Sequence, residues 1–104
     1  MLVFGDFNEI LYSHEKLGRN YRDSRDMASF RDIMNTYDLS DMGFMGADFT
    51  WDNGWRGDGL VKETLDRFLS NSRWLSLFCK TRVEHLAKIS SDHLPILLLV
   101  MSVL

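Results

Sequence analysis

A mixed α/β (α+β) fold is predicted for this chain by three features. One stretch repeats apolar residues at helical spacing, several short apolar runs are closed by glycine or aspartate, and 104 residues suit one hydrophobic core. The elements run strand, helix, several strands, short helix, two strands, the pattern of helices packed on a mixed sheet.

The first run, Leu2 to Phe4, meets Gly5 and Asp6 as a buried strand does where polar residues begin. If that strand continues to Asn8, alternation puts Asp6 and Asn8 on one face and Phe7 on the other. Residues 9–22 are polar, contain Gly18 and Asn20, and read as a loop with His14 and Glu15 solvated. Met27, Phe30, Ile33, Met34 and Tyr37 then recur at spacings of three and four, predicting a helix from Ser24 to Tyr37 with that stripe against the core. Asp23 or Ser24 can cap it, and Asp26 adds favourable charge in its first turn.

The stretch "LSDMGFMGADFTWDNGWRGDG" is dense in glycine, aspartate and aromatics, predicting short strands and turns around Asp41 to Phe44 and Phe49 to Trp51. In "LVKETLDRFLSN", Leu65, Arg67 and Leu69 alternate with Asp66 and Phe68 in strand fashion. "SRWLSLF" reads as one or two helical turns capped by Asn71 or Ser72, and "TRVEHLA" and "HLPILLLV" as the last two strands.

Composition narrows the class. With 45% hydrophobic and 26% charged residues the chain is globular, not disordered. The single Cys79 cannot form an internal disulfide, so a reducing, intracellular compartment is expected. "MLVF" is too short for a signal peptide core, and "LPILLLVMSVL" falls short of the roughly 20 residues a membrane helix needs; a buried strand is expected there instead. A net charge of −3 counts against holding nucleic acid mainly by neutralising phosphates. It is compatible with a metal-assisted phosphoesterase, whose site concentrates carboxylates.

Three polar clusters sit at the edges of apolar runs: Asp6 with Asn8, Asp66, and Asp92 with His93. Each has a plain reading beside a chemical one. Asp6, Asn8 and Asp92 are at home in turns or caps, because their side chains bond to nearby backbone, and His93 suits a strand edge. Asp66 has the weaker plain reading, since an acid in an apolar strand needs a partner or solvent. Chemically, a carboxylate beside a histidine fixes its tautomer and supports its charged form, and further carboxylates activate water or hold a divalent ion.

The strings "GDFNEIL", "FMGADFTWDN", "LDRFLSNSRWL", "VEHL" and "SDHLPILL" occur in that order and cover nearly the whole chain. Together they resemble the endonuclease/exonuclease/phosphatase family, the DNase I-like superfamily, and more narrowly the endonuclease region of plant LINE-type non-LTR retrotransposons. The resemblance implies the C-terminal half of a four-layered α/β sandwich, with a mixed, mainly antiparallel sheet and flanking helices. It implies that Asp6 orients or deprotonates the attacking water, Asn8 stabilises charge on the phosphate, Asp66 pairs with His93, His93 contacts the phosphate, and Asp92 lies at the metal site. Trp51, Asn53 and His85 stand as candidates for substrate contact or support, with packing favoured for Trp51 and structural support for His85. Trp55 is open to either stacking on nucleic acid or packing.

The activity implied is Mg²⁺-dependent (or Mn²⁺-dependent) phosphodiester hydrolysis by descent, with DNA as substrate, nuclear if the protein acts as a retroelement endonuclease. The family's domain is longer, and its first half supplies an Asn and a Glu metal ligand. A chain starting at "MLVFGDFN" is therefore expected to bind the ion weakly and to be impaired or inactive by itself. Thr64 stands where the retroelement pattern has Arg, a change expected to weaken phosphate or structural contacts. Two alternatives are a non-catalytic module that pairs with another protein chain through an exposed sheet face or edge, and a phosphatase of the same superfamily. No membrane partner is expected.

Overall fold

The computed structural model describes residues 1–88 and 91–101. In chain order the elements are β1 (Leu2–Asp6), β2 (Lys16–Leu17), α1 (Ser24–Thr36), β3 (Ser40–Asp41), β4 (Met45–Gly46), β5 (Trp51–Asp52), β6 (Lys62–Glu63), β7 (Asp66–Ser70), α2 (Ser72–Leu77), β8 (Thr81–His85) and β9 (Ile96–Val100). The fold is mixed α+β, built mostly from small antiparallel sheets with two helices. The predicted C-terminal strand is there, but it is half-buried, and it starts only after Pro95, which has no N–H to give a ladder. Residues 102–104 of that apolar run lie outside the described residues.

Among the described residues three three-stranded sheets form, in the orders β1-β7-β3, β2-β6-β5 and β4-β8-β9. In the first, β1 and β7 are antiparallel with Val3 opposite Leu69, Phe4 opposite Phe68 and Asp6 opposite Asp66. In the third, β4 runs parallel to β8, and β8 antiparallel to β9. The β4–β8 approach explains Gly46: its φ is +106°, and a Cβ there would lie 2.6 Å from the His85 carbonyl oxygen. Only glycine suits both conditions.

Helix α1 forms where the three-and-four spacing predicts it, capped by Asp23, whose carboxylate accepts the Arg25 amide at 2.9 Å. It packs on the face of the first sheet that carries Val3, Phe7 and Leu69. Met34 joins Leu11 and Leu69 in one buried cluster, and Met27 joins Ile10 and Leu65 in another. Leu69 is 1% exposed, so truncating it to alanine costs about 2–5 kcal/mol. The predicted stripe is narrower than its spacing suggests: Ile33 is exposed, and Tyr37 is an exposed C-cap residue. The sheet beneath α1 is only three strands wide, so it covers part of the helix surface.

Strand β7 departs from simple alternation. All five of its residues are buried, because it is the central strand of its sheet and is covered on both faces. Phe68 stacks on Phe4 at 5.3 Å between ring centroids, on the side away from Leu69, while Phe4 itself stays 64% exposed.

Candidate functional site

Two carboxylates are set by the β1–β7 register. Asp6 ends β1, Asp66 begins β7, and the two are direct cross-strand partners. β1 stops at Asp6 because the chain turns sharply there: the Asn8 amide donates to Asp6 Oδ1 at 2.8 Å, and Asn8 takes the left-handed conformation, φ +52°. This corrects the expectation that strand alternation runs on to Asn8. A side-chain turn of the kind aspartate favours relates the two residues, which is the plain reading of "GDFN" at Asp6.

The third member comes from far along the chain. His93 Nδ1 lies 2.7 Å from Asp66 Oδ2, and its Nε2 faces Asp6 Oδ2 at 3.8 Å. A carboxylate only accepts, so Nδ1 carries the proton and Nε2 is the nitrogen turned to the open side. Burial works against the charged imidazole, but the Asp66 hydrogen bond and the carboxylates of Asp66, Asp6 and Asp92 outweigh it and raise the His93 pKa above its ordinary value. His93 and Asp6 are partly open to solvent, whereas the Asp66 side chain is 12% exposed.

Residues Thr50 and Trp51 hold this arrangement together. The Thr50 hydroxyl, fully buried, accepts from the amides of both Leu65 and Asp66, at 2.9 and 3.1 Å. Its carbonyl accepts the Leu94 amide at 2.7 Å, and Trp51 forms a β-bridge with His93. One two-residue segment therefore sets the position of Asp66 on one side and His93 on the other. Asp92 has a different neighbourhood: its Oδ2 accepts the Trp51 indole N–H at 3.0 Å, and that bond holds its carboxyl below the usual range. No local pattern marks Thr50, whose part depends on which distant amides reach its hydroxyl.

The other candidates lie elsewhere. The Asn53 side chain accepts from the amides of Trp55 and Val61 and donates to the Gly59 carbonyl, fixing the loop between β5 and β6. His85 is buried, stacks on Phe44 at 4.0 Å and donates from Nδ1 to the Ala47 carbonyl at 2.7 Å. Trp51 packs against the cluster of Ile10, Met27 and Leu65, while Trp55 is exposed. Thr64 is buried, and its hydroxyl donates to the Asp48 carbonyl.

Glu15 is not a solvated loop residue. Its carboxylate accepts from the Leu11 amide at 2.6 Å and from both terminal nitrogens of Arg67, at 3.1 and 3.0 Å. Arg67 is 3% exposed and reaches Asp41 as well, at 2.8 Å. A buried guanidinium needs such partners, and the polar loop that supplies Glu15 is folded over β7 to provide one.

Asp6, Asp66 and His93 form a group that could hold a metal ion: each offers one ligand atom, and these atoms all lie within 4.8 Å of one another. No family model, curated protein or solved structure matches the chain. Among the described residues no helix is long and apolar enough to cross a membrane.

Proposed function

We propose that this chain carries the acid–base part of a metal-dependent phosphodiesterase site of the DNA endonuclease type, within the DNase I-like half-sandwich its motifs resemble. The observation that carries the reading is the His93–Asp66 pair facing Asp6, three residues from three separate motifs within one hydrogen-bonding neighbourhood. In this reading Asp6 takes a proton from the attacking water through Oδ2, since Oδ1 is occupied by the Asn8 amide. His93 donates from Nε2 to a phosphate oxygen, and Asp66 keeps the imidazole oriented and charged. Asn8, exposed beside Asp6, supports the charge growing on the phosphate.

The donor set suits a divalent ion. Asp6 and Asp66 offer two carboxylates, and Mg²⁺ is commonly held by one or two carboxylates with water and substrate phosphate completing its shell. When bound, the ion neutralises phosphate charge. Asp92, assigned to the metal by the resemblance, accepts the Trp51 indole N–H on Oδ2 and the Ser91 hydroxyl, at 3.3 Å, on Oδ1, so an ion or its waters would share Oδ1 with Ser91.

The reading is tested by mapping Mn²⁺-induced broadening in the NMR spectrum alongside nicking of supercoiled plasmid in Mg²⁺. Broadening centred on Asp6, Asp66 and His93, with any nicking lost in Asp6→Ala and His93→Ala, is expected. Broadening elsewhere, or nicking indifferent to both substitutions, overturns it.

A second reading has its own observation. Phe4 is 64% exposed on the sheet face away from α1, and β9 is an edge strand with Leu97 and Val100 exposed. A non-catalytic module that pairs with another protein chain would use such a surface. A defined stoichiometric oligomer in size-exclusion chromatography with light scattering favours it; a monomer counts against self-pairing.

A further inference from the structure

Arg22 lies in the loop just before the α1 cap, 14 positions from Asn8, yet its guanidinium joins three parts of the molecule. Nη1 donates to the Asn8 carbonyl at 3.2 Å, while Nε and Nη2 grip the two carboxylate oxygens of Glu63 at 3.2 and 2.5 Å. Glu63 belongs to β6, is 3% exposed, and is held from another side by Lys16 at 3.1 Å. Burial by itself pushes the Glu63 carboxyl up, but the hydrogen bonds from Arg22 and Lys16 outweigh it and keep the group ionised.

We infer that Arg22 is a positioning residue for Asn8, an inference that rests on the phosphodiesterase reading of the site. Asn8 is a non-glycine residue in the left-handed region, a conformation that persists where its surroundings over-determine it. On one side the Asp6 carboxylate holds its amide; on the other, Arg22 holds its carbonyl. Because the fork on Glu63 anchors Arg22 to β6, the loop that carries Asn8 is referenced to the β2-β6-β5 sheet, the one whose β5 strand carries Trp51 and bridges to His93. Both sides of the site are thereby keyed to one sheet. All three guanidinium nitrogens are engaged within the protein, with Glu9 also 3.5 Å from Nη1, so direct binding of substrate is not the role assigned.

The test compares the full chain with Arg22→Gln and Arg22→Lys by NMR, reading the carbon shifts and amide exchange of Asn8, with the Leu69 amide as a core reference. Arg22→Gln is expected to move the Asn8 shifts away from left-handed values and to speed its exchange about tenfold or more, with Leu69 protected as before. Arg22→Lys keeps the charge but cannot fork Glu63 and reach Asn8 together, so its Asn8 signals shift as well; it decides the matter if Arg22→Gln does not fold. Unchanged Asn8 shifts and exchange in a folded variant overturn the inference. Any Mg²⁺-dependent plasmid nicking, measured in parallel, is expected to lose kcat with KM unchanged. Mn²⁺ broadening in the wild type that misses Asp6, Asp66 and His93 instead sinks the phosphodiesterase reading, and the Asn8 signals still decide the positioning role.

Discussion

His93 and Asp66 are hydrogen-bonded at 2.7 Å across 27 positions of sequence, and Asp6 faces the opposite ring nitrogen of the same histidine. The imidazole therefore stands between two carboxylates that the β1–β7 register has already placed opposite each other.

The pH dependence of stability follows from that placement. The His93 pKa is raised in the fold, so the stabilising effect of its charged form is fully present below about pH 6.5, the ordinary value, and is lost as pH rises through the raised value. Thermal melts of the wild type are expected to decline over that window. Asp66→Asn removes the leading favourable interaction, so its melts decline less and its His93 titrates at a lower pH in an NMR titration. A His93 titration unmoved by Asp66→Asn would contradict this.

Trp51→Phe tests the second carboxylate. Phenylalanine keeps much of the packing against Ile10, Met27 and Leu65 but has no indole N–H to give Asp92. The Asp92 carboxyl should then titrate higher, towards the usual aspartate range, in a carbon-detected NMR titration. An unchanged Asp92 midpoint would show that the indole bond has little weight in solution.

Thr50→Val preserves shape and deletes one oxygen. Two buried amides, those of Leu65 and Asp66, lose their shared acceptor, and a cost of about 1–3 kcal/mol in urea unfolding is expected. Thr50→Ser keeps the acceptor and should recover most of that loss. A Thr50→Val variant as stable as the wild type would show that the hydroxyl carries no such weight.

Arg67→Ala is expected to cost about 3–5 kcal/mol, because it leaves Glu15 and Asp41 without the buried guanidinium that joins them. The exposed Asp23–Arg25 ion pair offers the contrast: Arg25→Ala leaves the Asp23 cap intact and should leave the unfolding curve close to that of the wild type. Similar losses from Arg67→Ala and Arg25→Ala would refute the distinction.

Local elements were legible where the signal is itself local. The spacing of Met27, Phe30 and Met34 marks α1 to within a residue at its C-terminal end, and Asn71 caps α2 through the Trp74 amide as its position suggests. Asp66 needed a partner by its place in an apolar strand, and it has one in His93. What the sequence concealed depends on contacts between distant segments. Glu15 reads as a loop acid until Arg67, 52 positions away, is seen beneath it. Thr50 reads as one more strand threonine until the start of β7 reaches its hydroxyl, and Arg22 reads as the end of a polar loop until Glu63 meets it. The division into three small sheets was illegible for the same reason, since strand partners two or five residues long carry almost no pairing signal of their own.

The Asp6–Asp66 rung has a thermodynamic side. Like charges directly opposed on antiparallel strands weaken the pairing, and here they close the end of the five-residue ladder between β1 and β7. Asp6→Asn would keep the oxygen that accepts the Asn8 amide and relieve the repulsion, so it should raise the melting temperature, most clearly above the raised pKa of His93, where no positive charge lies between the two acids. A chain selected for melting temperature alone would have no use for two carboxylates at that rung.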